Sequence, residues 1–275
     1  FSEEIPAGLQ KNLREKIFED FKNLFEEKSI RSKKNFSFST PNRLVLVFEG
    51  LDKQIKIKSR EIRGPKTSAP EQALKGFLRS NEINKKDLFK KKTEKDEFYF
   101  YKTVTTSLKT HDLLTEFIPK ILSNYQWKKS MKWGEFDLNW GRPLKSILSI
   151  FDKKIVSFKF HHLTSSNLTF LDKDFEDKKR SFENFSKYEK FFENNGVIIN
   201  QNKRLKIINK FFLKILKKKG LKINENTKLM DEVVNLVESP NVLLCKFDKK
   251  FLSVPKEILT LTMESHQKYF PTFND

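Results

Sequence analysis

A β-hairpin is predicted by the stretch Phe36-Ser37-Phe38-Ser39-Thr40-Pro41-Asn42-Arg43-Leu44-Val45-Leu46-Val47-Phe48-Glu49-Gly50. Aromatic and β-branched residues dominate both halves, as they do in strands, and Pro41-Asn42 supplies a turn between them. We therefore predict strands over 36–39 and 43–50. Upstream, apolar residues recur at helical spacing after Pro6 and predict one amphipathic helix: Leu9, Leu13, Ile17, Phe18, Phe21, Leu24 and Phe25. Helix and hairpin together predict a small α+β unit.

The rest of the chain alternates between predicted helices and strands. Ser68 with Glu71 is a capping-box pattern for a helix through Arg79. Charges and phenylalanines alternate over 172–193, which predicts a surface helix or helix pair. We predict further helices over 112–122, 203–219, 227–238 and 256–262, and strands over 98–104, 155–160, 197–199 and 242–247.

The predicted fold class is α+β, with mixed sheets and packed helices in two modules. The first module covers 1–171, a helical connector covers 172–195, and a second α/β stretch covers 196–275. With 275 residues, the chain is long enough to bury a core without a disulfide or metal. Cys245, in an apolar run, is predicted to be a buried and inert thiol.

The predicted compartment is the cytoplasm. A single cysteine suits a reducing environment, and no stretch approaches the roughly 18 uncharged apolar residues of a membrane span. The first residues, Phe1-Ser2-Glu3-Glu4, are acidic where a signal peptide would be basic. We therefore expect no membrane partner.

The chain is strongly basic, with 55 Lys and Arg against 36 Asp and Glu and a net charge of +19. Such a charge attracts a polyanion, and RNA is the natural candidate. The alternative is a surface composition that reflects a bias toward Lys, Asn, Phe and Ile. Lys217, Lys218 and Lys219 show the same two possibilities, since they suit either a solvated helix end or contact with nucleic acid.

Residues for catalysis or metal binding are sparse. The four histidines are scattered, and the adjacent His161 and His162 would point to opposite faces of a strand. The glycines lie singly, without the lysine-serine ending of a phosphate-binding loop. We predict no catalytic residue, no metal ligand and no cofactor in this chain.

Two segments interleave cations with aromatic rings. Lys132 and Trp133 lie in Met131-Lys132-Trp133-Gly134, and Arg142 follows in Trp140-Gly141-Arg142-Pro143. This combination grips phosphates while stacking on an unpaired base. The alternative is that Trp127, Trp133 and Trp140 anchor the core or a subunit interface.

The closing run His266-Gln267-Lys268-Tyr269-Phe270-Pro271 offers several donors on a short helical or turn segment. A catalytic His266 would need an orienting carboxylate and a substrate within reach. We therefore favour a structural or interface role for His266, Lys268 and Tyr269, with the aromatic rings packed and the histidine hydrogen-bonded.

Several short segments, taken in order, resemble one family. They are Ser2-Glu3-Glu4-Ile5-Pro6-Ala7, Thr40-Pro41-Asn42-Arg43-Leu44, Arg63-Gly64-Pro65, Gly76-Phe77 with Arg79-Ser80, Met131-Lys132-Trp133-Gly134, Arg142-Pro143, Asp231-Glu232-Val233 with Leu236-Val237-Glu238, Phe251-Leu252 with Val254-Pro255, and the closing run. The ordered set resembles an amino-terminal portion of the beta subunit of bacterial two-subunit glycyl-tRNA synthetases. One departure is Leu171-Asp172-Lys173-Asp174, where that family usually shows Gly-His-Arg-Phe.

The resemblance implies a division of labour within an α2β2 glycine-tRNA ligase. The alpha subunit would carry the class II site that uses ATP and Mg²⁺ to form glycyl-adenylate, and the beta subunit would bind tRNA(Gly) and act as a scaffold. It also implies that the first module is similar to the editing-type module of the phenylalanyl-tRNA synthetase beta subunit, and that the family continues into an HD-type domain and an anticodon-binding domain. The alternatives are a generic RNA-binding protein or a free-standing nucleotide or RNA hydrolase. The candidates for contact with tRNA or with the alpha subunit are Arg43, Lys132, Trp133, Arg142, Lys217, Lys218, Lys219, His266, Lys268 and Tyr269.

Overall fold

A computed structural model describes residues 1–57, 59–93, 96–171, 179–224 and 226–274. The α-helices of this part of the chain are α1 (Ala7–Glu27), α2 (Glu71–Ser80), α3 (Thr110–Asn124), α4 (Phe185–Asn194), α5 (Gln201–Lys219), α6 (Thr227–Val234) and α7 (Lys256–Thr262). The strands are β1 (Lys34–Thr40), β2 (Arg43–Glu49), β3 (Gln54–Ile57), β4 (Glu61–Lys66), β5 (Leu88–Lys92), β6 (Glu97–Lys102), β7 (Thr106–Lys109), β8 (Ile150–Phe151), β9 (Lys154–Ile155), β10 (Lys159–Phe160), β11 (Leu163–Thr164), β12 (Leu168–Phe170), β13 (Lys179–Ser181), β14 (Leu221–Ile223) and β15 (Thr272–Asn274). No helix within these ranges is long and apolar enough to cross a membrane.

The sheets are small and antiparallel. β4, β6 and β5 form a three-stranded sheet with β6 in the centre, and the other strands pair as β1-β2, β3-β7, β8-β9, β10-β11, β12-β13 and β14-β15. The prediction of helices packed with strands is confirmed, but the prediction of mixed sheets is wrong for the described residues. Three of the pairs, β1-β2, β8-β9 and β10-β11, join consecutive strands through two-residue turns. A turn this short can only reverse the chain into an antiparallel neighbour.

The chain gathers into two compact units, one made of Phe1–Leu51 with Leu114–Asp275 and the other of Asp52–Leu113. The first unit has its core where α1 packs on the β1-β2 hairpin. Leu13 and Ile17 are fully buried on one face of α1, as its periodicity predicts. A second part of this core joins the hairpin to α4 through Phe38, Val47 and Phe192. The module boundaries at 171/172 and 195/196 remain predictions.

The second unit is built on the β4-β6-β5 sheet, with α2 against β4. Gly64 in β4 permits this approach, because a Cβ atom there would lie 2.9 Å from the ring of Phe77 in α2. The predicted helix through Arg79 is therefore confirmed, whereas its capping box is wrong. The N-cap is Pro70, and no side chain caps the helix, since a proline just before the first turn leaves Ser68 outside it.

Several predicted strands are absent or shorter. Residues 242–247 form no strand and Cys245 is exposed, so the predictions of a strand and of a buried thiol are wrong. Within the described residues no strand pairs with this run, and a lone strand is not stable. Residues 197–199 are also irregular, since they only bridge α4 and α5. The predicted strand over 155–160 divides into the ends of two hairpins, β9 and β10.

Two predicted helices are also corrected. The helix predicted over 227–238 ends at Val234, and a turn follows it. Of the predicted helical stretch 172–193, residues 172–178 lie outside the described residues, Lys179–Ser181 is the strand β13 and Phe185–Asn194 is α4. The departure at Leu171-Asp172-Lys173-Asp174 likewise lies outside the described residues, except for Leu171.

Candidate nucleic-acid interface

The clearest basic surface lies on α5. Asn200 begins this helix, its side chain accepting hydrogen bonds from the backbone N–H groups of Asn202 (2.9 Å) and Lys203 (3.3 Å). Gly220 ends it in the left-handed conformation, with φ of 62°. Ile208 of α5 is buried. One side of the helix therefore faces the protein and the other faces solvent.

Lysines follow the solvent side of α5 at helical spacing. With 3.6 residues per turn, Lys206, Lys210, Lys214 and Lys217 fall within an arc of about 80° and span about 16 Å. All four are exposed, and within the described residues none has a carboxylate within ion-pair distance. We call these four residues the lysine stripe.

Lys203 begins the same row but differs from the stripe. Its ammonium lies 3.0 Å from Glu189 and 2.6 Å from Glu193, both on α4. These carboxylates raise the pKa of Lys203. Lys203 therefore links α5 to α4 through ion pairs, whereas the ammonium groups of the stripe are exposed to solvent.

The sequence-predicted lysines at the end of α5 diverge around the helix. Lys217, Lys218 and Lys219 are all exposed in its last turn, where cations suit the unpaired carbonyls of the helix end. Successive residues are rotated by about 100°, so only Lys217 continues the stripe. Sequence reasoning missed Lys206 and Lys210, although their three- and four-residue spacing would have identified them.

Arg43, another sequence-predicted candidate, is buried and only 2% exposed. Its guanidinium donates to Glu238 Oε1 at 2.5 Å and to the carbonyl oxygens of Phe170 (3.2 Å) and Leu171. Thr40 donates its hydroxyl to the same Glu238 oxygen. Arg43 thus holds the hairpin to the turn after α6, and its burial leaves it no surface for a tRNA or a partner subunit.

Two further arginines are buried beside the hairpin. Arg204 of α5 donates to the carbonyl oxygens of Val234 (2.9 Å), Ile198 (2.6 Å), Ile199 (2.9 Å) and Ser39 (2.8 Å). Burial lowers the pKa of Arg204 to about 10.

Arg14 of α1 donates to the Ser39 hydroxyl at 2.8 Å. We call Arg14, Arg43 and Arg204 the arginine cluster. Because strands, helices and turns all supply its acceptors, this cluster joins the elements of the first unit.

The tryptophan-rich segment forms a closed loop. Met131 and Trp140 exchange backbone hydrogen bonds of 2.8 and 3.1 Å. Trp140 is buried, with its ring 4.9 Å from Trp127 and 5.7 Å from Phe160. The buried Trp140 anchors the base of the loop in the core, and the residues between 131 and 140 form its tip.

At the tip of this loop, three rings meet. Phe136 stacks on His162 with ring centroids 3.7 Å apart, and Trp133 lies edge-on to His162 at 5.7 Å. Lys132 beside them is 60% exposed, 4.0 Å from Asp137, and Arg142 donates to the Gly141 carbonyl.

The two adjacent histidines do not lie in a strand. His161 and His162 form the turn between β10 and β11, and His161 has a φ of 50°. The prediction that they point to opposite faces of a strand is therefore wrong. The physical reason is that Phe160 pairs directly with Leu163, which leaves only two residues for the turn.

The closing run is tied to α6. Lys268 forms an ion pair with Glu232 at 2.9 Å, and Phe270 packs edge-on to Phe212 of α5 at 5.0 Å. Tyr269 is 58% exposed, so the expected packing holds for Phe270 and is wrong for Tyr269. His266 is exposed, and its imidazole makes no hydrogen bond with the part of the chain that is described. It lies in the single helical turn Met263–Gln267 that follows α7, which has no buried residue.

The predicted candidates therefore do not converge on one site. Arg43 lies inside the protein, while Lys132 with Trp133, the end of α5 and the closing run each lie at the surface. Among the described residues, the lysine stripe presents four unpaired cations in a row, which is an arrangement that binds a polyanion.

Over residues 1–275 the sequence matches the family described as glycyl-tRNA synthetase beta subunit. It is 38% identical over 274 residues to the glycine–tRNA ligase beta subunit of Rickettsia canadensis and 39% identical over 274 residues to that of Rickettsia conorii. Identity to the Rickettsia felis protein is 37% over 276 residues. Each match covers 100% of this chain and 41% of the relative. The chain thus spans about two fifths of the length of the curated relatives it matches.

Proposed function

The chain belongs to the family of glycyl-tRNA synthetase beta subunits, and on this premise we propose that it binds tRNA(Gly) as part of a glycine-tRNA ligase. In this proposal the chain acts in the cytoplasm within an α2β2 assembly. The partner alpha subunit carries the class II site with ATP and Mg²⁺, and this chain is not itself catalytic. The likeness of its first part to the editing-type module of the phenylalanyl enzyme remains a prediction of fold.

The observation that carries the proposal is the lysine stripe. Residues 201–222 contain nine Lys and Arg and no Asp or Glu, so the surface of α5 has no acidic residue of its own to neutralise it. Of these cations, Arg204 is buried and Lys203 is paired with α4. The four stripe lysines are left to solvent in one row. Cations in this arrangement exchange small counterions for the phosphates of a nucleic acid.

The net positive charge of the chain does not by itself predict how strongly it binds a nucleic acid, because many lysines are already paired. Many of the other exposed lysines in the described residues are engaged by carboxylates, for example Lys16 with Asp20 at 2.7 Å and Lys22 with Glu19 at 3.0 Å. A paired lysine releases few counterions when a phosphate approaches, because its charge is already balanced. Unpaired lysines should therefore dominate the salt dependence of tRNA binding.

The test compares two triple variants that lose the same charge from long helices. One carries Lys206→Gln, Lys210→Gln and Lys214→Gln in α5. Its control carries Lys16→Gln and Lys22→Gln in α1 and Lys28→Gln at its C-cap, three lysines that are each paired with a carboxylate. The affinity for tRNA(Gly) is measured between about 50 and 200 mM salt. We expect the α5 variant to reduce the slope of log K against log [salt] by about 0.7 to 0.9 for each lysine that contacts a phosphate.

The control should keep the wild-type slope. If both variants change the slope equally, tRNA responds only to net charge and the stripe is not the interface. If neither changes it, the bound surface lies elsewhere.

A second measurement tests the division of labour. The glycines of this chain lie singly in the sequence, without a phosphate-binding loop. We therefore expect no glycine-dependent exchange of pyrophosphate into ATP by this chain alone. Exchange by the purified chain would place adenylate formation here and overturn the scaffold role.

A further inference from the structure

The three-stranded sheet of the Asp52–Leu113 unit has two chemically different faces. In an antiparallel sheet, residues directly opposite each other lie on the same face, and alternate residues along a strand share that face. Phe100 of β6 is opposite Arg63 of β4 and Phe89 of β5, and Phe98 is opposite Lys66 and Lys91. These six residues therefore lie on one face, which we call the aromatic face.

The opposite face is covered by α2. It carries Ile62, Leu88 and Tyr101, which are also paired across the sheet. Gly64 lies on this side against Phe77, and Leu74 of α2 is buried. Ile62, Leu88 and Tyr101 are half-buried, so this is the face of the sheet that receives the helix, while Phe98 is buried on the aromatic face.

On the aromatic face, rings and cations alternate. Phe89 and Phe100 stack with centroids 6.0 Å apart. The guanidinium of Arg63 lies 3.6 Å from the ring of Phe98, and the ammonium of Lys91 lies 5.7 Å from the ring of Phe100. Phe89 is 38% exposed, and Arg63, Lys66 and Lys91 are exposed as well.

The charge of this face is positive. Lys91 pairs with Glu61 at 3.0 Å and Lys66 with Asp96 at 2.7 Å. Arg63 and Lys102, by contrast, have no carboxylate within ion-pair distance among the described residues. The whole segment 52–113 holds 16 Lys and Arg against 9 Asp and Glu. This excess of positive charge favours an anionic ligand.

Arg63-Gly64-Pro65, one of the motifs singled out in the sequence, builds this arrangement. Arg63 lies on the aromatic face and Gly64 on the face that receives α2. The register shifts between Arg63 and Lys66, and Pro65, which has no N–H to donate, suits such a bulge. The motif thus fixes a guanidinium plane over the sheet while the glycine keeps the helix close beneath it.

We propose that the aromatic face binds a single-stranded segment of RNA, with unpaired bases stacked on Phe89 and Phe100 and the backbone held by Arg63, Lys66 and Lys91. Sheet faces that expose aromatic rings bind unpaired bases in this way, since every base has a flat face to stack. Three of the six residues are cations, whereas charged residues are depleted from the core of a protein–protein interface. The inference deepens the proposed tRNA binding and rests on it for its biological ligand, but the site can be tested on its own.

The test uses the full 275-residue chain and a short unstructured RNA that carries 2-aminopurine, whose fluorescence falls when the base stacks. Phe89→Ala should weaken binding of this RNA by about 5- to 100-fold, as for removal of a stacking ring. Phe36→Ala is the matched control. Phe36 is also 38% exposed in a strand, and its ring centroid also lies 6.0 Å from the next phenylalanine, Phe38. The control should bind within twofold of wild type.

A further variant separates stacking from folding. Phe89→Trp keeps a flat ring and should retain both the affinity and the fluorescence quenching, and thermal melts of all three variants check that each is folded. The same RNA annealed to its complement should bind with an affinity that Phe89→Ala does not change. The inference is overturned if folded Phe89→Ala binds the single strand within twofold of wild type. It is equally overturned if the variant instead loses only its association with a protein partner.

Failure of this inference can be distinguished from failure of the proposed function. The salt dependence of tRNA(Gly) binding depends on the stripe lysines of α5, and the stacking signal depends on Phe89. A changed slope in the α5 variant with no effect of Phe89→Ala would support the tRNA role and show that the aromatic face does not bind RNA. The reverse result would support a site for single-stranded RNA and show that the stripe does not bind tRNA.

Discussion

The arginine cluster and the lysine stripe both contribute positive charge to the first unit, but they do so in opposite surroundings. Arg43 and Arg204 are buried and donate to Glu238 and to backbone carbonyl groups. Lys210 and Lys214 are exposed and have no carboxylate partner among the described residues. Net charge alone therefore does not locate a binding surface. Part of the +19 charge stabilises the fold, and only the exposed, unpaired part is available to a polyanion.

The two residue types suit these different roles. A guanidinium has five donors in a fixed plane, so Arg204 can satisfy four carbonyl oxygens at once. An ammonium is a compact and strongly hydrated charge on a flexible stem, which suits a solvated helix face. An arginine in a motif of this family is therefore a poor guide to tRNA contact unless its exposure is known.

Loss of a buried arginine should have the largest effect. Arg204→Met removes all four hydrogen bonds and leaves buried carbonyl groups of Ile199 and Val234 without a donor. We expect the free energy of unfolding to fall by about 3 to 5 kcal/mol, as for a broken buried polar network. Urea denaturation of both proteins measures the difference. A loss below about 1 kcal/mol would mean that relaxation or water supplies the missing donors.

Tyr188 should give a smaller and pH-dependent effect. Burial raises the pKa of Tyr188 from its ordinary value near 10 to about 12. Between these pH values the unfolded chain loses the phenolic proton while the folded chain keeps it, so stability falls as pH rises. Relative to Tyr188→Phe, the wild type should lose up to about 2.7 kcal/mol between pH 10 and 12. Parallel urea titrations test this, and an unchanged difference between the two proteins would show that the phenol is solvated.

Much of the first unit could be predicted from the sequence. The periodicities of α1 and of the hairpin are local and regular. The helix, the two strands and the turn that joins β1 to β2 were therefore predicted correctly. The sequence also contained a pattern that indicates the burial of Arg43. Arg43, Val45 and Val47 alternate along β2, which places all three side chains on the face that packs into the core. The general preference of arginine for the surface concealed that signal.

Other features could not be predicted, because they depend on residues far apart in the chain. The run around Cys245 is apolar enough for a strand, but no sequence rule shows whether another strand lies beside it. Similarly, the alternation over Phe98 and Phe100 predicts one face of a strand, yet only the pairing with β4 brings Arg63 onto that face. Elements defined by long-range pairing are thus the ones that sequence reasoning misses.

The smallest expected effect distinguishes a paired lysine from an unpaired one. Lys203→Gln should change the salt dependence of tRNA binding little, since Glu189 and Glu193 already neutralise Lys203. Lys210→Gln should lower the slope by about 0.7 to 0.9 if this lysine contacts a phosphate. For stability the order reverses, with a loss of about 0.2 to 1 kcal/mol for Lys203→Gln and almost none for Lys210→Gln. Equal slopes for the two variants would show that pairing with a carboxylate does not decide how a lysine contributes to tRNA binding.

If buried arginines hold this fold and exposed lysines bind the RNA, substitutions of the two residue types should have opposite effects on stability and on binding. Arg43→Gln and Lys210→Gln are each assayed for the free energy of unfolding and for tRNA(Gly) affinity at low salt. Arg43→Gln should lose about 3 to 5 kcal/mol of stability, while the affinity of its folded fraction stays within twofold of wild type. Lys210→Gln should keep its stability within about 0.5 kcal/mol and bind tRNA more weakly. A stable, folded Arg43→Gln protein that no longer binds tRNA would contradict this division between buried arginines and exposed lysines.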